Sequence, residues 1–385
     1  MLLNLKRIPK RHLSLILVLL TGVLLGCKTP KVEEINIGAI LPLSGRATDL
    51  GIGPSKALQL AVEQYNDIRA SDEPLVNLYI EDDQWEKEKA LPAYRKLKAE
   101  HDIDVLFISN TDGTVAVQEQ ILEDNVLVVN SLNNDATLSK LNKNTFKIAK
   151  STEEANLVVG VRIIELGLKN VAILHYPNDF MTTASRAVSE LLSDRDVKNK
   201  VITVEAEQTD FKEILRNLKS EEVDAYVFFG YKEFGYAMKE ARDMGITAPF
   251  YGSTTLLDPE FFDNSNGAII STECPFFMEA DGNYVLAHQF MKDFEAKYDK
   301  EPFSVWPPMQ AYDAMNLVLN EIKKVNTEND NKELFVDWLR RRLYGVRYYQ
   351  GICGNLSITE DGSSRGIYFS LYRMKEKGRL LKVKR

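Results

Sequence analysis

Ile35-Asn36-Ile37-Gly38-Ala39-Ile40-Leu41, followed by an amphipathic stretch over 56–66 with Leu58, Ala61, Val62 and Tyr65 on one side, sets the pattern of the whole chain. The first run reads as a strand and the second as a helix. Further strands over 75–81, 105–108 and 126–129 alternate with helices near 87–100 and 114–124. Such alternation means a parallel sheet covered by helices on both faces. The pattern then restarts, with helices over 152–166, 182–192, 211–219 and 234–244 and strands over 171–175, 201–205, 225–229 and 249–251. Capping boxes are expected at Ser151 with Glu154 and at Asp210 with Glu213. Two successive α/β sets imply two lobes. From Asn283 helices over 284–298, 309–325 and 333–342 follow without intervening strands, before short strands around Leu356, Tyr368 and Leu381. Helices with broad apolar faces are expected to return to an existing sheet, which makes the lobes discontinuous in sequence.

Residues 1–26 read as an export signal. Lys6, Arg7, Lys10 and Arg11 precede an apolar run over 13–25, too short for the roughly twenty residues of a bilayer span. The run ends in Leu24-Leu25-Gly26-Cys27, which resembles the lipobox of bacterial lipoproteins and makes Cys27 the expected lipidation site, with residues 27–33 as a tether. Removing the signal takes away four cations and no acid, moving the formal charge from -8 to -12. An acidic body disfavours nucleic acid as a partner. About 350 mature residues suit two cores better than one.

Several segments resemble the type I periplasmic solute-binding proteins, which include the branched-chain amino-acid receptors of ABC importers. Gly38-Ala39-Ile40-Leu41-Pro42-Leu43-Ser44-Gly45, with Gly51 and then Leu60-Ala61-Val62-Glu63-Gln64-Tyr65-Asn66, is similar to the family's opening strand, loop and helix. Ile80-Glu81-Asp82-Asp83-Gln84 resembles its second strand end. Ala225-Tyr226-Val227-Phe228-Phe229-Gly230, with Ala241-Arg242-Asp243-Met244-Gly245, resembles the second lobe's central strand and helix. Tyr312-Asp313-Ala314 and Gly351-Ile352-Cys353-Gly354-Asn355-Leu356 match the returning helix and closing strand. The resemblance implies an α/β fold of two doubly wound parallel-sheet lobes joined by three crossing segments, with ligand held between them. The crossings are expected near Ile148, Thr272 and Cys353, giving lobe 1 as 34–147 and 274–353 and lobe 2 as 148–273 and 354–385.

In amino-acid-binding members the ligand is held by hydroxyls and backbone groups from two loops of the first lobe. The matching segments here are Ser109-Asn110-Thr111-Asp112-Gly113-Thr114 and Asn130-Ser131-Leu132-Asn133-Asn134. The resemblance thus makes Thr111, Asp112, Thr114, Leu132, Asn133 and Asn134 candidate ligand residues, although Asp112 and Thr114 also suit an N-cap. In the second lobe Phe180 and Tyr231 stand where the family places aromatics over the ligand. Thr254 stands where branched-chain amino-acid binders carry an acid for the ligand's ammonium. Trp306-Pro307-Pro308 reads as a helix-starting loop anchored by a buried Trp, with cleft lining as the alternative. Cys274 and Cys353 fall near crossing segments, where a disulfide would limit lobe opening; two buried free thiols are the other reading.

Other motifs fail. Gly51-Ile52-Gly53-Pro54-Ser55-Lys56 lacks the Gly-Lys-Ser/Thr order of a phosphate loop. His12, His101, His175 and His288 have no metal or triad spacing. With no catalytic constellation and no cofactor motif, the expectation is a binder: a lipid-tethered receptor that captures a small polar solute for an ABC permease. Its place would be the cell envelope, on the outer side of the cytoplasmic membrane or the periplasmic face of the outer membrane. The alternative is a lipoprotein of the same fold that docks an envelope protein, such as a cell-wall synthase.

Overall fold

The computed structural model describes residues 33–385 apart from 135–137, 139–140, 206–207, 232, 258–263, 279–283, 300–305, 326–333 and 384–385. The signal segment and Cys27 therefore lie outside the described residues.

The first sheet contains β1 (Glu34–Leu41), β2 (Leu75–Asp82), β3 (Val105–Ile108), β4 (Leu127–Asn130) and β5 (Thr145–Lys147), in the order β2-β1-β3-β4-β5. All its pairings are parallel. Alternation along the strands divides the side chains between two cores. Ile35, Ile37, Ala39, Val105, Phe107, Leu127 and Val129 face one core, and Ile40, Leu106, Ile108 and Val128 the other. Helix α1 (Ile52–Ile68) covers the first face, and α2 (Lys87–His101) and α4 (Gln118–Glu123) the second; α3 (Thr111–Ala116) follows β3.

The second sheet repeats the plan. Helix α5 (Thr152–Glu165) leads into β6 (Asn170–His175), α6 (Asp179–Ser193), β7 (Lys198–Thr203), α7 (Lys212–Ser220), β8 (Ala225–Phe229), α8 (Glu233–Asp243), β9 (Phe250–Ser253) and β10 (Ile269–Glu273). Strands β7-β6-β8-β9-β10 are parallel. As expected, α9 (Tyr284–Tyr298), α10 (Trp306–Ile322) and α11 (Phe335–Tyr344) return to the first lobe, where Phe290, Phe294, Met315, Leu319 and Leu339 join the core beneath α1.

The third crossing differs from expectation. After Cys353, β12 (Gly354–Ile358) pairs with β11 (Tyr349–Gln350) and β13 (Ser364–Ile367) as a small antiparallel sheet. Leu356 and Ile358 are buried in the first-lobe core, and the Lys147 N–H donates to the Gly362 carbonyl at 2.8 Å. Only β14 (Phe369–Met374), antiparallel to β10 and followed by β15 (Leu380–Lys382), belongs to the second sheet. The chain thus crosses at Tyr368, and 354–367 belongs to the first lobe because its apolar side chains are buried there.

Smaller departures have local causes. Ser151 accepts from the Glu154 N–H at 3.4 Å as expected, but its own hydroxyl donates to Glu153. Asp210 does not cap α7; its carboxylate accepts from the Lys212 N–H at 3.0 Å, and Phe211 holds the N-cap position with no side-chain bond. Strand β5, three residues long and set behind Asn142-Lys143-Asn144, carries too little pattern to be predicted.

Candidate functional site

Both parallel sheets have the order 2-1-3-4-5, so neighbouring strands diverge at β1/β3 and at β6/β8. Ligands of open α/β sheets bind beyond the carboxyl ends of the strands at such switch points. The first crossing leaves the carboxyl end of β5 and the second leaves the carboxyl end of β10, so both carboxyl edges face the hinge. The loops after β3 and β4 on one lobe, and after β6, β8 and β9 on the other, form the candidate site.

On the first lobe the loop geometry is set from beneath. Asp83 is fully buried and accepts from the Trp85 N–H at 3.0 Å and from the Asn110 side-chain amide at 3.3 Å. Burial pushes its carboxyl pKa up, against the pull of those donors. So held, Asn110 caps α3, its side-chain oxygen accepting from the Gly113 N–H at 3.1 Å. The Asn130 side-chain oxygen accepts from the N–H groups of Leu132 (3.1 Å) and Asn133 (2.8 Å), which fixes the second loop. The Asn133 amide then donates to the Thr111 hydroxyl at 3.1 Å, bringing the two loops together.

The candidate residues separate on this frame. Thr111, Leu132 and Asn133 are half-buried at the edge, and Asp112 is exposed in the first turn of α3. Thr114 is fully buried; its hydroxyl donates to the Asn110 carbonyl at 2.7 Å and accepts from Asn130 at 2.9 Å, so it braces the loop from inside. Asn134 turns to the hinge, donating its backbone N–H to the Lys150 carbonyl and its side-chain amide to the Ser364 carbonyl, both at 3.1 Å.

On the second lobe, Asn178 caps α6 by accepting from the Met181 N–H at 2.8 Å, and its amide donates to the Tyr231 hydroxyl at 3.3 Å. Tyr231 stands edge-on to Tyr176 with ring centroids 5.6 Å apart, and remains exposed at 42%. Phe180 packs against the second-lobe core and so serves packing at least in part. Thr254 opens a 3-10 turn after β9 and is half-buried. Sequence reasoning missed Tyr176 and Asn178; their position directly after an apolar strand was the available signal.

The hinge ties these loops to one another. Lys150 pairs with Glu273 across the first two crossings. Cys274 and Cys353 are joined by a disulfide, and both hydrogen-bond to the backbone of Tyr368 on the third crossing. Among the described residues no group of three or more His, Cys, Asp or Glu side chains is placed to hold a metal.

Residues 34–379 match the family described as periplasmic binding protein. The chain belongs to that family. The binding protein is 21% identical over 359 residues to a Leu/Ile/Val-binding protein homologue of Brucella melitensis, covering 91% of this chain and 94% of the relative. It is 23% identical over 350 residues to a Leu/Ile/Val-binding protein of Rhizobium johnstonii, covering 88% and 91%. Among solved structures it resembles a leucine-binding protein of Thermotoga maritima, with a TM-score of 0.72, 19% identity and coverage of 91% of this chain and 98% of that one. A solute-binding protein of an ABC transporter from R. palustris in complex with benzoate gives a TM-score of 0.70 at 18% identity, covering 91% and 95%. At these identities the structural likeness carries the two-lobed fold, not the solute.

Proposed function

We propose that the protein is a lipid-anchored extracytoplasmic receptor that captures a small polar solute between its lobes and delivers it to an ABC permease. The observation that carries this reading is that the switch-point loops of both sheets face one hinge, which is the arrangement a closing cleft needs. The family's ABC-importer relatives support the permease as partner, and the Leu24-Leu25-Gly26-Cys27 sequence supports the anchor at Cys27.

The solute is anionic or neutral and polar rather than a simple aliphatic amino acid. Thr254 occupies the place of the acid that pairs with an ammonium, and a buried ammonium facing only a hydroxyl retains most of its desolvation cost. The edge residues Thr111, Asn133, Asn178 and Tyr231 are uncharged hydrogen-bonding groups, suited to a ligand that needs donors and stacking. Thermal-shift screening against a metabolite library tests the reading, since a ligand at one hundred times its Kd adds about 2.7 kcal/mol of stability. No response from any polar metabolite would instead favour a docking role toward another envelope protein.

A further inference from the structure

At the third crossing the chain changes partner from one lobe to the other. Ile367 of β13 pairs with Gly354 of β12 in the first lobe, and Phe369 of β14 pairs with Glu273 of β10 in the second. Tyr368 alone lies between these pairings. Its N–H donates to the Cys353 carbonyl at 2.9 Å, and its carbonyl accepts from the Cys274 N–H at 3.1 Å. Cys353 directly precedes β12 and Cys274 directly follows β10. The disulfide therefore joins the two segments between which Tyr368 is held.

Both cysteines are fully buried in the core of the first lobe. The N–H groups of Ile352 and Cys353 donate to the buried Asp313 carboxylate at 2.7 and 2.8 Å, which fixes that side of the bridge to α10. The second crossing is thus fastened to the first lobe up to Cys274, and its freedom begins at Glu273. Glu273 is itself buried and paired with Lys150 on the first crossing. Lys150 is in turn held to α10, its N–H donating to the Gln310 side-chain oxygen at 2.8 Å. Toward the second lobe, β10 and β14 run on as an antiparallel ribbon from the Glu273–Phe369 pair to the Ile269–Arg373 pair. Such a ribbon bends and twists, but sliding one strand along the other breaks its ladder bonds. The backbone bonds of Tyr368 exchange for bonds to water at little net cost, whereas a covalent bridge does not.

We propose that the Cys274–Cys353 bridge is a hinge clamp that makes the second and third crossings move as a single ribbon. The lobes then rotate about that ribbon and the first crossing and cannot shear past each other, which narrows the range of open states. The clamp acts on the hinge whatever the solute is, and so goes beyond the receptor reading above. Because both cysteines are buried, attack by an external thiol is blocked, and the bridge is a fixed part of the hinge rather than a redox switch.

Spin labels at Glu88→Cys and Thr182→Cys report the lobe separation, since both positions are exposed near the starts of α2 and α6, on opposite sides of the cleft. With Cys27 replaced by serine, only the introduced thiols take label. Pulsed electron-spin distance distributions of the empty protein are compared with and without the bridge, the latter as the Cys274→Ala, Cys353→Ala double variant. The expected result is a broader distribution shifted to longer distances in the bridge-free protein. Glu273→Gln, which loses the charge pair with Lys150 but keeps the bridge, should broaden it less. If the distributions superimpose in a folded double variant, or if Glu273→Gln broadens them as much, the clamp is wrong and the receptor reading stands. Should the double variant not fold, labelled protein reduced in denaturant and refolded under dithiothreitol gives the same comparison. Failure to fold there as well would make the bridge a requirement of folding and overturn the clamp.

Discussion

Asn133 and Asn134 are adjacent and chemically identical, yet the first reaches Thr111 across the candidate site and the second reaches the Ser364 carbonyl in the hinge. Substitution should separate them. Thr111→Ala and Tyr231→Ala should weaken a solute identified by thermal shift by about 1–3 kcal/mol and leave the melting temperature of the empty protein nearly unchanged. Asn134→Ala should chiefly lower that melting temperature, since the Ser364 carbonyl loses a donor, by an amount on the order of 1 kcal/mol in stability. A calorimetric affinity and a melting curve for each variant distinguish the two roles. For Thr254, titration calorimetry with leucine, isoleucine and valine should give no micromolar binding; a micromolar Kd for any of them would mean that another acid serves the ammonium.

Helix α10 contributes more than a lid on the first sheet. Its Asp313 is buried and accepts from the N–H groups of Ile352 at 2.7 Å and Cys353 at 2.8 Å, so it holds the chain just before β12. Gly351 is required there, because a Cβ would lie 2.4 Å from the Asp313 carboxylate. Burial raises the carboxyl pKa from 3.8 to about 7, although the two N–H donors oppose the shift. Between those values the folded protein binds a proton that the unfolded chain has lost. Stability should therefore fall as pH rises from about 4 to about 7, with a slope of up to about 1.4 kcal/mol per unit from this group. Asp313→Asn should be less stable overall but should lose that part of the slope. Denaturant melts at pH 5 and pH 7.5 measure it, and an unchanged slope in the variant would assign the dependence to other groups.

At the scale of the whole molecule the hinge is held by three kinds of link: the Lys150–Glu273 ion pair, the backbone bonds of Tyr368, and the bridge between Cys274 and Cys353. Thiol titration of denatured, unreduced protein should find neither Cys274 nor Cys353 free. Cys353→Ser should cost roughly 2–5 kcal/mol, given a bridge that spans 79 residues of sequence. At the other end of the chain, Cys27→Ser should block lipid attachment and release the protein from membranes; normal processing and membrane partition of the variant would end the lipoprotein reading. The two α/β sets, the return of the late helices and the order of the family segments were legible in the sequence, because burial imposes a local period on strands and helices that a linear reading detects. What only the tertiary structure decided was which groups meet across long separations: Asn133 with Thr111, Asn134 with Ser364, Lys150 with Gln310 and Glu273, and the crossing at Tyr368 in place of Cys353. A side chain such as Asn134 or Thr114 has the same local sequence signature whether it faces a cleft or a buried carbonyl, and its partner is set by packing between segments up to 230 residues apart.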